Sequence, residues 1–158
     1  MRRDIEVLVV NELLGSRATP HLSPGVDEGS KLEIVALFTD ASATLAALRM
    51  AAQLGRGLDA RINLVASQGV PYPLELAGPP VAIDWLEETL CELASKSAVD
   101  THVDIILSRD TQRTLRRVLR PHSLVVIGSR RRWWRTKEQR LAERLRNDGH
   151  QVIVAYLQ

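Results

Sequence analysis

Hydrophobic residues are grouped into five short runs, separated by amphipathic segments of helical length. The runs cover residues 32–39, 61–67, 103–107, 124–127 and 152–156. Short, almost wholly apolar runs are typical of strands that are buried on both faces of a sheet. Because these strands alternate with helices, the pattern predicts an α/β fold with a parallel sheet and helices on both faces.

Polar residues stand just before each amphipathic segment, where a helix N-cap is expected. The candidates are Asp40 or Ser42, Asp84, Asp110 or Thr111, and Thr136. Glu87 follows Asp84 by three residues, which is the spacing of a capping box. We therefore predict four helices that end near Leu54, after residue 94, before Pro121 and before Gly149.

The N-terminal residues 1–30 do not share this regular pattern. Residues 5–14 are apolar enough for one short element, and Pro and Gly punctuate residues 15–30 as a loop. We predict an N-terminal arm and linker over residues 1–30 and one domain over residues 31–158. The arm could add an edge strand, exchange between subunits or stay disordered. A second loop is predicted over residues 69–80, which contain four prolines.

Composition narrows the class of protein. The 158 residues are 45% hydrophobic and 25% charged, as in a soluble globular domain. The single cysteine, Cys91, excludes an intrachain disulfide and is consistent with a reducing compartment. The apolar run 7–10 is too short for a signal peptide or a membrane span. We expect a cytoplasmic protein without membrane contact, and no metal site because the histidines lack ligand spacing.

Charge is divided unevenly along the chain. Residues 1–108 contain 8 Lys and Arg against 15 Asp and Glu, whereas residues 109–146 contain 13 against 3. Such a division indicates an anionic ligand, a nucleic acid or an acidic partner surface.

Residues 31–157 resemble the universal stress protein family. The similarity lies in a first strand that ends in Asp40-x-Ser42, in Leu-Ala-Ala-Leu-Arg-Met-Ala at 45–51, and in Val-Val-Ile-Gly-Ser-Arg at 125–130. The resemblance implies a Rossmann-like five-stranded parallel sheet in the order 3-2-1-4-5. It also implies a role in stress response and a homodimer formed through the last strand.

Family members that bind ATP have the pattern G-x2-G-x9-G-[ST] after the fourth strand. Only the first glycine is present here, as Gly128; the second position falls on Arg131 and the third near Glu138. A glycine loop lets backbone N–H groups approach phosphate, which a bulky side chain prevents. We therefore expect no conventional ATP binding and no cofactor. Residues 130–135 are also similar to the stress-protein-like domain of potassium-system sensor kinases, some of which bind a cyclic dinucleotide.

The crevice between the first and fourth strands is the candidate binding site, because ligands bind where the strand order of an open α/β sheet reverses. Asp40 would accept a hydrogen bond from a ribose or adenine group, and Ser42 belongs to the same candidate site. Phosphate would meet Gly128, Ser129 and Arg130, and in the arginine-rich alternative Arg130, Arg131 and Arg132 replace the glycine loop. ATP or another adenine nucleotide is the alternative ligand. In the other interpretation Asp40 only caps a helix and Gly128 only allows a turn.

Two arginine-rich stripes form a second candidate surface. Arg113, Arg116, Arg117 and Arg120 follow helical spacing, and so do Lys137, Arg140 and Arg144. Right-handed crossovers place both helices on one face of the sheet. This basic face would bind an acidic protein or a nucleic acid, or it is simply solvated. Trp133 and Trp134 either stack on bases or cover a sheet edge or an interface.

No arrangement of residues resembles a catalytic site, so we predict no enzyme activity and name no catalytic residue. The sequence favours a binding and regulatory module that acts through partner contacts as a homodimer. Two alternatives stay open: a nucleotide-binding protein that uses an arginine-rich loop, and a nucleic-acid-binding protein that uses the basic face.

Overall fold

The computed structural model of the protein describes residues 7–11, 32–72 and 83–158, and of residues 7–11 it describes the backbone. Ten elements follow one another along the described chain. They are β1 (Val7–Asn11), β2 (Leu32–Leu37), α1 (Ala41–Leu54), β3 (Ala60–Gly69), α2 (Ile83–Ser95), β4 (Thr101–Ser108), α3 (Thr111–Val118), β5 (Leu124–Ser129), α4 (Lys137–Asn147) and β6 (Gln151–Tyr156).

The six strands form one parallel sheet in the order β1-β4-β3-β2-β5-β6. Without β1, the order is the predicted 3-2-1-4-5, so the α/β fold class and the topology are confirmed. β1 pairs with β4 from Val7 opposite Val103 to Asn11 opposite Leu107. Residues 7–11 therefore form an added edge strand, which is one of the roles left open for the N-terminal arm. The rest of that arm lies outside the described residues, as does most of the predicted loop 69–80.

The helices cover the two faces of the sheet in pairs. On one face α1 and α2 pack on side chains such as Ile34, Leu64 and Ile105. On the other face α3 and α4 pack on alternate residues of the same strands, including Val35, Val65 and Ile106. All six of these side chains are buried, which accounts for the nearly continuous apolar runs in the sequence. The prediction that the two arginine-rich helices share a face is confirmed.

Three of the four predicted N-caps are present. Asp40 accepts a hydrogen bond from the N–H of Ala43, Asp110 accepts from Gln112 and Arg113, and Thr136 forms a capping box with Gln139. The capping box predicted at Asp84 is wrong. Helix α2 begins at Ile83, so Asp84 lies in the first turn instead of before it. There its carboxylate still interacts favourably with the positive end of the helix dipole.

In the described ranges 32–72 and 83–158, no helix is long and apolar enough to cross a membrane.

Candidate functional site

A cleft of about 510 Å³ lies at the carboxyl ends of β2 and β5. These strands are neighbours in the sheet, and the chain leaves them in opposite directions, through α1 towards β3 and through α4 towards β6. This is the reversal point at which open α/β sheets bind their ligands. The cleft is lined by Asp40, Ser129, Arg130, Arg132, Trp134, Arg135, Thr136, Lys137, Glu138 and Arg140.

The lining is strongly cationic. Four arginines and one lysine face two carboxylates, those of Asp40 and Glu138. The amino end of α4 also opens here, with Thr136 as its N-cap, and adds the partial positive charge of the helix dipole. An anion that enters the cleft is therefore attracted, and Glu138 is the side chain that opposes this attraction in the first turn of α4.

Asp40 performs two tasks at the edge of the cleft. Its Oδ1 accepts a hydrogen bond of 2.9 Å from the N–H of Ala43, and its Oδ2 lies 3.7 Å from Nε of Arg130. The carboxylate is thus the N-cap of α1, as predicted, and it also holds the arginine that follows β5. Because both oxygens have partners, a ligand hydroxyl would share Asp40 with the helix end.

Gly128 lies inside β5 and packs against α1. A Cβ added at this position would lie 1.8 Å from the carbonyl oxygen of Ala43. The hydroxyl of Thr39 donates to the Gly128 carbonyl at 3.2 Å, which ties β2 to β5 at the same level. The glycine is required by the close approach of a strand to a helix, not by a turn, and Gly128 is not among the residues that line the cleft.

Ser129 joins β5 to α4 at the floor of the cleft. Its side chain is buried, and its Oγ lies 3.2 Å from the Oγ1 of Thr136. Thr136 in turn accepts from the N–H of Gln139, while the Gln139 side chain accepts from the Thr136 N–H. This chain of hydrogen bonds fixes where α4 begins, and it explains why Thr136 and Lys137 lie next to the end of β5.

The structure brings together three of the six residues predicted for nucleotide binding: Asp40, Ser129 and Arg130. Ser42 and Arg131, like Gly128, do not line the cleft. Arg131 extends towards the last strand, with its guanidinium 5.6 Å from the ring centre of Tyr156. Whether a nucleotide binds stays a prediction.

Several cleft residues were not identified in the sequence as parts of a pocket. Arg135 belongs to the loop that follows β5, and Lys137 and Arg140 were assigned to the basic face. Arg132 and Trp134, from the same loop, were named only for the alternative of an arginine-rich phosphate loop and for base stacking. The dense run of cations immediately before the N-cap Thr136 was the available signal, because a loop that short must stay near both the strand end and the helix start.

The predicted basic face is partly neutralised by distant acidic residues. Arg116 forms a bidentate ion pair with Asp148, with hydrogen bonds of 2.8 and 2.7 Å, and these bonds hold the pKa of Asp148 below its usual range. Arg120 lies 3.5 Å from Glu33. Five cations of the face are exposed and form no ion pair within the described part of the chain: Arg113, Arg117, Lys137, Arg140 and Arg144.

The described residues do not form a metal-binding geometry. Among the described residues, no group of three or more His, Cys, Asp or Glu side chains could hold a metal ion. Cys91 is unpaired and partly buried on α2, and desolvation raises the pKa of its thiol.

No protein-family model and no curated protein matches the sequence. Among solved structures, a universal stress protein in complex with cAMP is similar to this chain, with 16% sequence identity and a TM-score of 0.44. The alignment covers 82% of this chain and 98% of that one. The fold assignment comes from the strand order β1-β4-β3-β2-β5-β6.

Proposed function

We propose that the protein is a non-enzymatic binding module of the universal stress protein type, and that its cleft accepts a phosphate-bearing nucleotide. The observation that supports this most directly is the cleft at the reversal point of the sheet, where five cationic side chains face two carboxylates. Its volume of about 510 Å³ falls within the range of small-molecule sites.

The phosphate would be held by side chains instead of a glycine loop. Gly128 is packed against Ala43 and so does not free its backbone for a ligand. Arg130 and Arg132 are the first two cations after β5 that line the cleft, and guanidinium groups bind phosphate oxygens through paired, charge-assisted hydrogen bonds. We therefore do not propose conventional ATP binding. We propose that arginines hold an adenine nucleotide or a cyclic dinucleotide.

Nucleotide binding is tested by calorimetric titration with ATP, cAMP and a cyclic dinucleotide. We expect at least one of them to bind, and the double variant Arg130→Gln/Arg132→Gln to weaken that binding by about tenfold or more. Arg56→Gln is the matched control, since Arg56 is exposed and follows α1 away from the cleft. Absence of binding by all three nucleotides to the folded protein would remove the proposal.

As a second candidate function, we propose a regulatory homodimer that acts through partner contacts in a cytoplasmic stress response. The edge strand β6 supports the dimer. This strand pairs with β5 on one side and ends the order of the described sheet. Ile153 and Val154 are half-buried and Tyr156 is exposed, so the strand offers unpaired backbone groups beside apolar side chains. Light scattering measures the mass in solution, and a monomeric mass at high concentration would contradict this candidate.

A further inference from the structure

Two tryptophans project from the loop between β5 and α4. The side chain of Trp133 is fully exposed, and that of Trp134 is about two-thirds exposed (68%). The two indoles are adjacent in the chain, and contiguous exposed apolar patches, unlike single scattered residues, mark interaction sites. Arg130, Arg131 and Arg132 precede this pair and Arg135 follows it, so the indoles are flanked by cations in the sequence.

Helix α4 extends this row of cationic side chains away from the loop. Lys137, Arg140 and Arg144 are exposed on successive turns, about 4.5 to 6 Å apart along the helix axis. We call these three residues the α4 track. Trp134, Lys137 and Arg140 line the same cleft, so the track begins beside an indole, and Arg144 continues it into the groove between α3 and α4.

Helix α3 adds charge beside the track. Arg113 and Arg117 are exposed and, within residues 32–72 and 83–158, form no ion pair. Arg116 is used differently, because its bidentate pair with Asp148 ties α3 to the end of α4. The two helices therefore present their remaining cations on one continuous surface held in place by that ion pair.

We infer that the exposed tryptophans and the α4 track bind single-stranded nucleic acid. The bases stack on Trp133 and Trp134, and successive phosphates bind the cations of the track, whose spacing is close to that of phosphates along an extended strand. Aromatic platforms beside cationic grooves are the usual means of binding single strands without sequence preference. This function goes beyond the proposed nucleotide site, since it uses Trp133 and Arg144, which do not line the cleft.

The indoles favour a single strand over the other polyanions. In a duplex the bases are stacked on one another, so their faces are closed to a side chain. An acidic protein surface would neutralise the cations but leave two indoles in water. Only an unpaired strand offers flat ring faces and regularly spaced negative charges together.

The test is fluorescence anisotropy with a labelled oligo-dT and an oligo-U of equal length at several salt concentrations, together with quenching of the tryptophan emission. Trp133→Ala is expected to weaken binding by roughly tenfold. Arg144→Gln is expected to lower the slope of log affinity against log salt by about 0.7, the value of one phosphate contact with a single strand. Arg49→Gln, an exposed position on the opposite face of the sheet, is expected to leave both quantities unchanged.

Two results would overturn the inference: equal affinity for a duplex of the same length, or equal competition by polyglutamate without quenching of the indoles. Trp133 and Arg144 do not line the cleft, so neither variant is expected to change mononucleotide binding, and failure of one proposal can be distinguished from failure of the other. Circular dichroism of each variant excludes unfolding as the cause of a loss.

Discussion

Arg116 of α3 binds Asp148, the C-cap of α4, through its Nε and one terminal nitrogen at once. The two residues are 32 positions apart, and their pairing joins the two arginine-rich helices. We expect Arg116→Ala and Asp148→Ala each to lower the melting temperature, and the double variant to lose less than the two single losses together. The coupling should shrink in 1 M salt, because exposed ion pairs are screened. A double-mutant cycle by thermal melting measures it, and strictly additive losses would show that the pair contributes nothing.

Gly128 is expected to tolerate no side chain. In Gly128→Ala the new methyl group would overlap the Ala43 carbonyl, so β5 and α1 must move apart, at a cost of about 2–3 kcal/mol or more in the free energy of unfolding. Urea unfolding measures this loss.

Gly69→Ala is the matched control. A Cβ at Gly69 meets no atom within 4 Å, and its φ is not in the left-handed region. We expect a change close to zero or slightly stabilising. Similar losses in both variants would contradict the packing explanation for Gly128.

His150 makes the folded protein sensitive to mild acid. Burial lowers the pKa of its imidazole, a nearby His122 lowers it further, and Asp148 partly opposes both. The Nδ1 atom accepts a 3.2 Å hydrogen bond from the N–H of Ser123, and this acceptor is lost on protonation. Below a pH of about 6.5 the unfolded chain takes up a proton that the folded protein resists. Stability therefore falls as the pH drops from about 6.5 towards the lower pKa of the folded state.

The variant His150→Asn removes the titration while Oδ1 can still accept from Ser123. We expect its melting temperature to change less between pH 7.5 and 5 than that of the natural protein. His122→Asn should keep most of the slope, because burial, not the charge of His122, is the main cause of the lowered pKa of His150. An unchanged slope in His150→Asn would contradict the assignment.

Thr136 is expected to set where α4 begins. Thr136→Ala removes the acceptor of the Gln139 N–H and the partner of Ser129, and should cost about 1 kcal/mol in the free energy of unfolding. Thr136→Ser keeps the hydroxyl and should restore nearly all of this loss. Equal losses in the two variants would mean that the methyl group, not the cap, carries the effect.

Local sequence patterns predicted most of the fold, because most of its strands and helices are specified by residues that are neighbours in the chain. The apolar runs marked β2 to β6, and Asp40, Asp110 and Thr136 marked three helix starts. The position of β1 could not be predicted in this way, since its place depends on pairing with β4, almost a hundred residues later. The start of α2 was missed by two residues for a related reason: Asp84 is a residue type that often caps helices, but only the backbone conformation decides which residue becomes the cap.

The site was predicted less completely, because its charges depend on residues that are distant in the chain. Helical spacing placed Arg113, Arg116, Arg117 and Arg120 in one stripe, but it could not show that Arg116 faces Asp148 and that Arg120 faces Glu33. The crevice beside Asp40 followed from the strand order. The residues that form its walls, from Arg132 to Arg140, are set by the hydrogen bond between Ser129 and Thr136, which joins α4 to β5.

The contact between Gly128 and the first turn of α1 also affects how the glycine motif of such chains is interpreted. A motif search that counts a glycine at the end of this strand treats it as evidence of phosphate recognition, whereas here its lack of a side chain serves the interior of the protein. A chain that has lost every capacity for nucleotides would still need that glycine to fold. The glycine at the end of β5 is therefore not by itself evidence of nucleotide binding in this chain.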